Sequence, residues 1–485
     1  MLHTPKVLVI GIDALCWEVI DKPLKDGKLP NLKKLINSGS YGVLKSVVPP
    51  NTIPAWPCII TGKSPGKLNL YDYFFIDGKN RTSVVSSDVI KNKTLFDIFS
   101  DYGKKVVVFN VPCTYPPWEV NGVLVSGFMA PDNNTIHSNY NFSEEVRNKY
   151  ITALGVKDIK RSTFKNLEDM EIYRTKLFID TVLEQNAEFA MIVYRSTDPV
   201  QHLFFNDKAK LEEYFSIIDC LIGNLISKFS QSNIIIISDH GMTGIKKLFQ
   251  INNWLEQEGY LKYKSYSRII SEESIVKFFS KLHLIKLVQK VAQFIDLRVI
   301  QMLARKIHKT GKEVDYEKSA AYYLGSYFIN INKNRDYNSI ITEIKTKLMK
   351  LKDGDENIIE AVYYKEELYN TNKDDAPDII FVPKGYNYMP VNTTYTQEIL
   401  CPPYFKESSS SHSSEGLIVT TGPDMLNNKK IFASILDLVP SCLKLMGVPV
   451  PSDIDGTQIS VINQKDTNKK SILDLDKAIS NIKLK

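Results

Sequence analysis

Six acidic and imidazole side chains of the 485-residue sequence stand where a metal site draws its ligands, and a threonine stands near them. Asp13 directly follows the apolar run Val7–Ile12, Asp198 and His202 follow Phe189–Tyr194, and Asp239 and His240 follow the run 234–237. Carboxylate oxygens and imidazole nitrogens bind divalent cations, zinc and manganese among them. Asp198 and His202 are spaced i, i+4, so on one helical turn they project from one face and can hold a single ion. Pro199 between them suits a first helical position. Asp239 and His240 are adjacent, which suits a turn whose neighbouring side chains serve different ions. Thr52 lies in the segment 49–62, where a strand over 43–48 gives way to a helix. Free backbone N–H groups and the positive end of the dipole at that junction accommodate a phosphoryl oxygen. A cation close by would make Thr52 a nucleophile. His412 stands in the polar stretch 408–414, read as a loop, ahead of Glu415-Gly416. Each residue also has a plainer reading, such as a helix cap for Asp13 or Thr52 and a core histidine for His202. The joint placement of Asp13, Asp198, His202, Asp239 and His240 after three separate strands argues for a site. His3, His137, His283 and His308 have no such company.

The elements that must position these residues alternate. Strands are predicted over 7–12, 105–109, 189–194 and 233–237, with helices over 94–102, 175–185 and 211–229 between them, and Gly39 and Gly103 close helical runs. That alternation predicts an α/β fold, a mostly parallel sheet with helices on both faces, whose loops beyond the strands' carboxyl ends form one crevice. Residues 275–307 carry apolar residues at helical spacing, and 277–312 holds nine Lys or Arg against one acid, Asp296. This predicts a helical insertion with a solvated basic face, or a cap that attracts an anionic substrate or makes peripheral contact with a membrane. The expected organisation is a catalytic core over 1–262 and 315–460, a basic insertion or cap over 263–314, and a charged C-terminal tail over 461–485. No fixed-period repeat is present.

Hydrophobic residues at 43% and charged residues at 24% exclude a largely disordered chain, and a net charge of +6 is too small to imply a nucleic-acid-binding module. The six cysteines form no CxxC pair, and their scatter predicts reduced thiols in a cytoplasm. No apolar window is long enough for a signal peptide or a membrane span. The sequence carries no sign of oligomeric state.

Taken in order, Gly11-Ile-Asp13, the segment 50–66 with its Thr-Gly-Lys-Ser-Pro-Gly, Thr197-Asp-Pro-Val-Gln-His202, Ser238-Asp-His-Gly241, Ser411-His412 with Glu415-Gly416, and the late run 445–456 resemble the alkaline phosphatase superfamily. Within it they resemble the type I phosphodiesterase/nucleotide pyrophosphatase family. The resemblance implies two divalent metal ions, usually zinc, one bound by Asp198, His202 and His412 and the other surrounded by Asp13, Thr52, Asp239 and His240. It implies a phosphate-ester substrate, attack by Thr52 on phosphorus, a phosphothreonine, and its hydrolysis by water at the first ion. Two departures stand out. Relatives place a phosphate-binding Asn about twenty residues after the nucleophile, whereas this chain has 70–74 with Asp72, so that role is not transferred. Relatives also often carry His-Gly where this chain has Leu68-Asn69. A sulfatase is set aside, because Thr52 cannot become formylglycine and Trp56 replaces the required Arg. Phosphomonoesterase, phosphoglycerol-type transferase and a catalytically silent binding or membrane-associated protein are the alternatives.

Overall fold

The computed structural model describes residues 4–76, 82–91, 93–128, 136–138, 164–264, 314–333, 335–371, 373, 375–392, 397–403 and 410–463. The basic segment 275–307 and the tail from 464 onward lie outside these residues.

Strand β1 (Val7–Ile12) is buried along its whole length at the middle of a nine-stranded sheet. A strand covered on both faces has to be apolar throughout, which accounts for its composition. The other strands are β2 (Ser40–Lys45), β3 (Val106–Val111), β4 (Gly122–Ser126), β5 (Ile136–Ser138), β6 (Phe189–Tyr194), β7 (Asn233–Ile237), β8 (Glu415–Thr421) and β9 (Lys430–Ser434). Their spatial order is β9-β2-β8-β7-β1-β6-β3-β4-β5. Pairing is parallel except where β8 meets β7 and β2 and where β5 meets β4.

Successive side chains point to opposite faces. Val7 and Val9 join Val108, Met191 and Ile235 under the helices Thr52–Thr61, Leu95–Asp101 and Leu438–Met446. Leu8 and Ile10 join Phe109, Ile192 and Ile236 under the helices Trp17–Lys25, Pro30–Ser38, Phe164–Gln185 and Lys208–Lys228. Each such aliphatic side chain contributes about 1.5–3 kcal/mol by leaving water. Local signals set the helix ends. Thr94 and Asp97 form a reciprocal capping box, and Gly103, at φ +67°, takes the left-handed turn after that helix.

The fold is therefore the expected α/β arrangement, a mostly parallel sheet with helices on both faces. A second apolar core, drawn from described residues between Phe249 and Tyr388, accompanies the main one and has no counterpart in the sequence reading. It gathers Trp254, Ile329, Ile344 and Phe381 around a four-stranded antiparallel sheet of Ala321–Tyr322, Phe328–Ile331, Ile379–Pro383 and Ile359–Tyr364. It touches the main sheet's rim where Tyr369 Oη donates to Val48 O at 2.8 Å and Tyr327 Oη meets Ser411 Oγ at 3.2 Å.

Candidate active site

β1, β6 and β7 run in the same direction, so Asp13, Asp198 and Asp239 emerge on one rim of the sheet. The turn after β1 is anchored by Asp13 N, which donates to Tyr194 O at 3.2 Å, and by Thr197 Oγ1, which donates to Asp13 O at 2.6 Å. Gly11 keeps the space above β1 open, since a Cβ there would stand 2.4 Å from the Trp56 ring. Trp56 uses that space to donate from Nε1 to Asp13 Oδ2 at 3.2 Å. The residue that breaks the sulfatase pattern thus orients an acid of the site.

Asp198 and His202 lie on the helix Thr197–Phe204, which starts two residues earlier than the sequence suggests. Pro199 is its third residue instead of its first, still within the turn whose N–H groups have no helical acceptor. The stretch around His412 is a correction as well. Ser410–Ser413 is a short strand, not a loop, and pairs antiparallel with Gly241–Gly244, setting His412 opposite Met242. That ladder brings His412 beside His240. Thr52 opens its helix with Asn51 as the capping position, and neither side chain makes a capping bond. Asn51 Oδ1 instead faces His412 Nδ1 at 3.3 Å, and Asn51 Nδ2 donates to Ser326 Oγ of the second lobe at 3.0 Å.

All seven predicted residues meet. Asp198 Oδ1 lies 3.3 Å from His202 Nε2 and 3.2 Å from His412 Nε2, and those two nitrogens are 2.9 Å apart. His240 Nε2 lies 3.6 Å from Asp13 Oδ1, 3.2 Å from Asp239 Oδ2 and 3.3 Å from Thr52 Oγ1. Donor atoms of Asp198, His202 and His412, and of Asp13, Asp198 and His240, each fall within 4.8 Å of one another. Asp198 therefore belongs to both groups, while Asp239 adjoins through His240.

Charge in this cluster is badly balanced without a cation. Asp13, Thr52, Asp239 and His240 are fully buried. Asp13 Oδ1 and Asp239 Oδ2 receive no hydrogen bond from any N–H or hydroxyl side chain among the described residues. Burial, then Asp239 and Asp198, push the Asp13 carboxyl well up, and burial pushes Asp239 to about 7. Burial alone would raise Asp198 too, but His202 and His412 hold it well below the usual carboxylate range. Burial opposes a charge on His202, and Asp198 outweighs it, so that imidazole is raised. Burial lowers both His240 and His412. Buried acids lacking donors and imidazoles held neutral are the donor set that divalent cations complete.

The sequence reading missed four neighbours. Trp56 and Asn51 contact Asp13 and His412. Arg195, one residue past β6, approaches Asp198 Oδ2 with Nη2 at 3.7 Å. Tyr73 reaches Thr52 with its hydroxyl. Arg195 was readable by the same strand-end rule that singles out Asp198.

A family model described as type I phosphodiesterase/nucleotide pyrophosphatase matches residues 7–403. The chain belongs to that family. It is a hydrolase of phosphoric ester or pyrophosphate bonds. The match stops short of His412, which the pairing with Gly241–Gly244 delivers to the cluster. Among solved structures, murine ectonucleotide pyrophosphatase/phosphodiesterase 5 superposes with a TM-score of 0.54 at 13% identity, covering 93% of this chain and 97% of that one. The human protein of the same name is 14% identical over 92% of this chain and 96% of its own, with a TM-score of 0.54. Phosphonoacetate hydrolase from Sinorhizobium meliloti 1021 gives 0.57 at 12% identity, covering 90% and 94%. At such identities the likeness is one of fold. A comparison with curated protein sequences returned no match.

Proposed function

We propose that this type I phosphodiesterase cleaves a phosphate diester or pyrophosphate by two successive displacements at Thr52, beside two divalent cations, zinc first among the candidates. The observation that carries the reading is the position of Thr52 Oγ1, buried and 3.3 Å from His240 Nε2 at the edge of the ligand cluster. Asp198, His202 and His412 would hold one cation, and Asp13, Asp239, His240 and Thr52 the other. Bound there, the cations would neutralise phosphoryl charge and lower the pKa of the Thr52 hydroxyl.

The chain's own part follows from its geometry. Thr52 Oγ1 gives up its proton to solvent and bonds to phosphorus, while the bond to the leaving oxygen breaks and that oxygen departs with the electron pair, taking up a proton from solvent. Water then adds to the phosphothreonine, Thr52 leaves, and its hydroxyl is restored. Burial of Thr52 keeps bulk water from competing in the first step. The Trp56 and Asn51 contacts hold Asp13 and His412 in place through both steps.

Thr52→Ala tests the reading. Hydrolysis of bis-p-nitrophenyl phosphate should fall by at least about a thousandfold while bound metal is largely retained. Unchanged hydrolysis would remove Thr52 from the chemistry. We also place the protein in a reducing compartment, the cytoplasm, in keeping with six scattered cysteines that form no CxxC pair. No helix among the described residues is long and apolar enough to cross a membrane.

A further inference from the structure

One wall of the site holds only Thr52 and Asp198 of the predicted ligands, and it carries the guanidinium of Arg195. The Arg195 guanidinium sits over the Phe128 ring, its Cζ 3.8 Å from the centroid. Phe128 meets Tyr73 edge-to-face at 6.2 Å, and the Tyr73 hydroxyl lies beside Thr52. Arg195 in turn reaches Asp198 Oδ2, the oxygen turned away from His202 and His412. Thr52, Tyr73, Phe128, Arg195 and Asp198 thus form a continuous rim beside the nucleophile.

Arg195 is underused in that rim. A guanidinium has five N–H donors. Its ion pair is a single 3.7 Å approach of Nη2, and its Nε is buried with no hydrogen-bond partner among the described residues. The contacts with Phe128 and Asp198 restrain the group, so its remaining donors are less free to swing into water. Three buried carboxylates (Asp13, Asp198 and Asp239) offset most of the charge that two divalent cations would bring. Arg195 adds a permanent positive charge on the Thr52 side, and Tyr73 adds a neutral O–H donor at the same place.

We propose that Arg195 and Tyr73 bind phosphoryl oxygens of the substrate, Tyr73 at the oxygen nearest Thr52 and Arg195 at further negative charge. The site would thereby favour substrates of charge −2, a terminal phosphate monoester or a pyrophosphate diester, over a simple diester of charge −1. This rests on the phosphoryl-transfer reading above and names its substrate class.

The test uses the metal-loaded full chain with three substrates: bis-p-nitrophenyl phosphate, p-nitrophenyl phosphate and diadenosine 5′,5′-diphosphate. In Arg195→Gln, the ratio of kcat/KM for a doubly charged substrate to that for bis-p-nitrophenyl phosphate should fall about tenfold to hundredfold, with metal content unchanged. The substrate whose ratio falls shows whether the second charge belongs to a terminal phosphate or to a pyrophosphate. Phe128→Leu, which removes the ring without touching Asp198, should move the ratio the same way, and Arg195→Lys should restore part of it. Tyr73→Phe should lower kcat for all three substrates alike. Inorganic phosphate binding, measured by calorimetry, should weaken by a similar factor in Arg195→Gln. An unchanged ratio with unchanged phosphate binding would overturn the proposal. So would a loss equal for all substrates, which would mean that Arg195 acts only through Asp198. If the wild-type chain hydrolyses none of the three, the reaction reading fails, and phosphate binding still decides the role of Arg195.

Discussion

The imidazole rings of His240 and His412 stack with centroids 3.9 Å apart and planes 23° from parallel. Two imidazolium ions would repel one another strongly at that separation, so the arrangement requires at least one neutral ring. Burial lowers both, which favours the neutral form of each. Neutral imidazole is the form that binds a cation. The stack also explains why a run of serines forms a strand: pairing Ser410–Ser413 with Gly241–Gly244 sets His412 at the fixed distance from β7 that the stack needs.

His202→Ala should remove the cation expected at Asp198, His202 and His412 and leave the other in place. Metal analysis of the purified variant checks this, and full occupancy would count against the assignment. The outcome follows from shared geometry, because His202 Nε2 lies within 3.3 Å of Asp198 Oδ1 and 2.9 Å of His412 Nε2.

Trp56→Phe keeps a buried ring but removes the N–H that reaches Asp13 Oδ2. Loss of an outer hydrogen bond to a metal-binding carboxylate typically costs about tenfold to hundredfold in metal affinity or activity. The expected result is a weaker affinity at the Asp13, Asp239 and His240 cation in a chelator competition, with the fold retained. Unaltered affinity would make Trp56 a packing residue only.

Asn51→Ala should act on the other ion. Asn51 Oδ1 takes the Nδ1–H of His412 and so leaves Nε2 free to bind. Removing that acceptor allows the wrong tautomer, and metal affinity should fall by about tenfold or more. Ser326→Ala should give a smaller loss in the same direction, since Ser326 only steadies the Asn51 amide.

Much of this site was legible because a parallel sheet places strand ends together, and β1, β6 and β7 read as continuous apolar runs. Asp13, Asp198 and Asp239 follow from that rule without further information. His412 stood out only by resemblance, since its partner strand lies far away in sequence and a run of serines has no strand propensity of its own. The second core was not legible for a similar reason. Its strands are short and pair antiparallel across long gaps, as Phe328–Ile331 does with Ile379–Pro383. Trp56 was visible only as a mismatch to a sulfatase, and its role depends on the space left by Gly11.

The metal-free protein should lose stability as pH rises through the weakly acidic range. The Asp239 carboxyl is raised from 3.8 to about 7. Between those values the unfolded chain gives up this proton and the folded chain keeps it, so the folded state loses ground with rising pH and the loss levels off above about 7. Asp239→Asn should flatten that part of the profile. Cations compete with the same proton, so zinc should raise Tm more at pH 8 than at pH 5. Thermal melts of chelated and zinc-loaded protein at both pH values check the sign.

Anomalous-scattering diffraction from crystals of the zinc-loaded protein is the most direct test. The account predicts two peaks beside Thr52, one ligated by Asp198, His202 and His412 and one by Asp13, Asp239 and His240. A single peak, or peaks ligated by other residues, would contradict it.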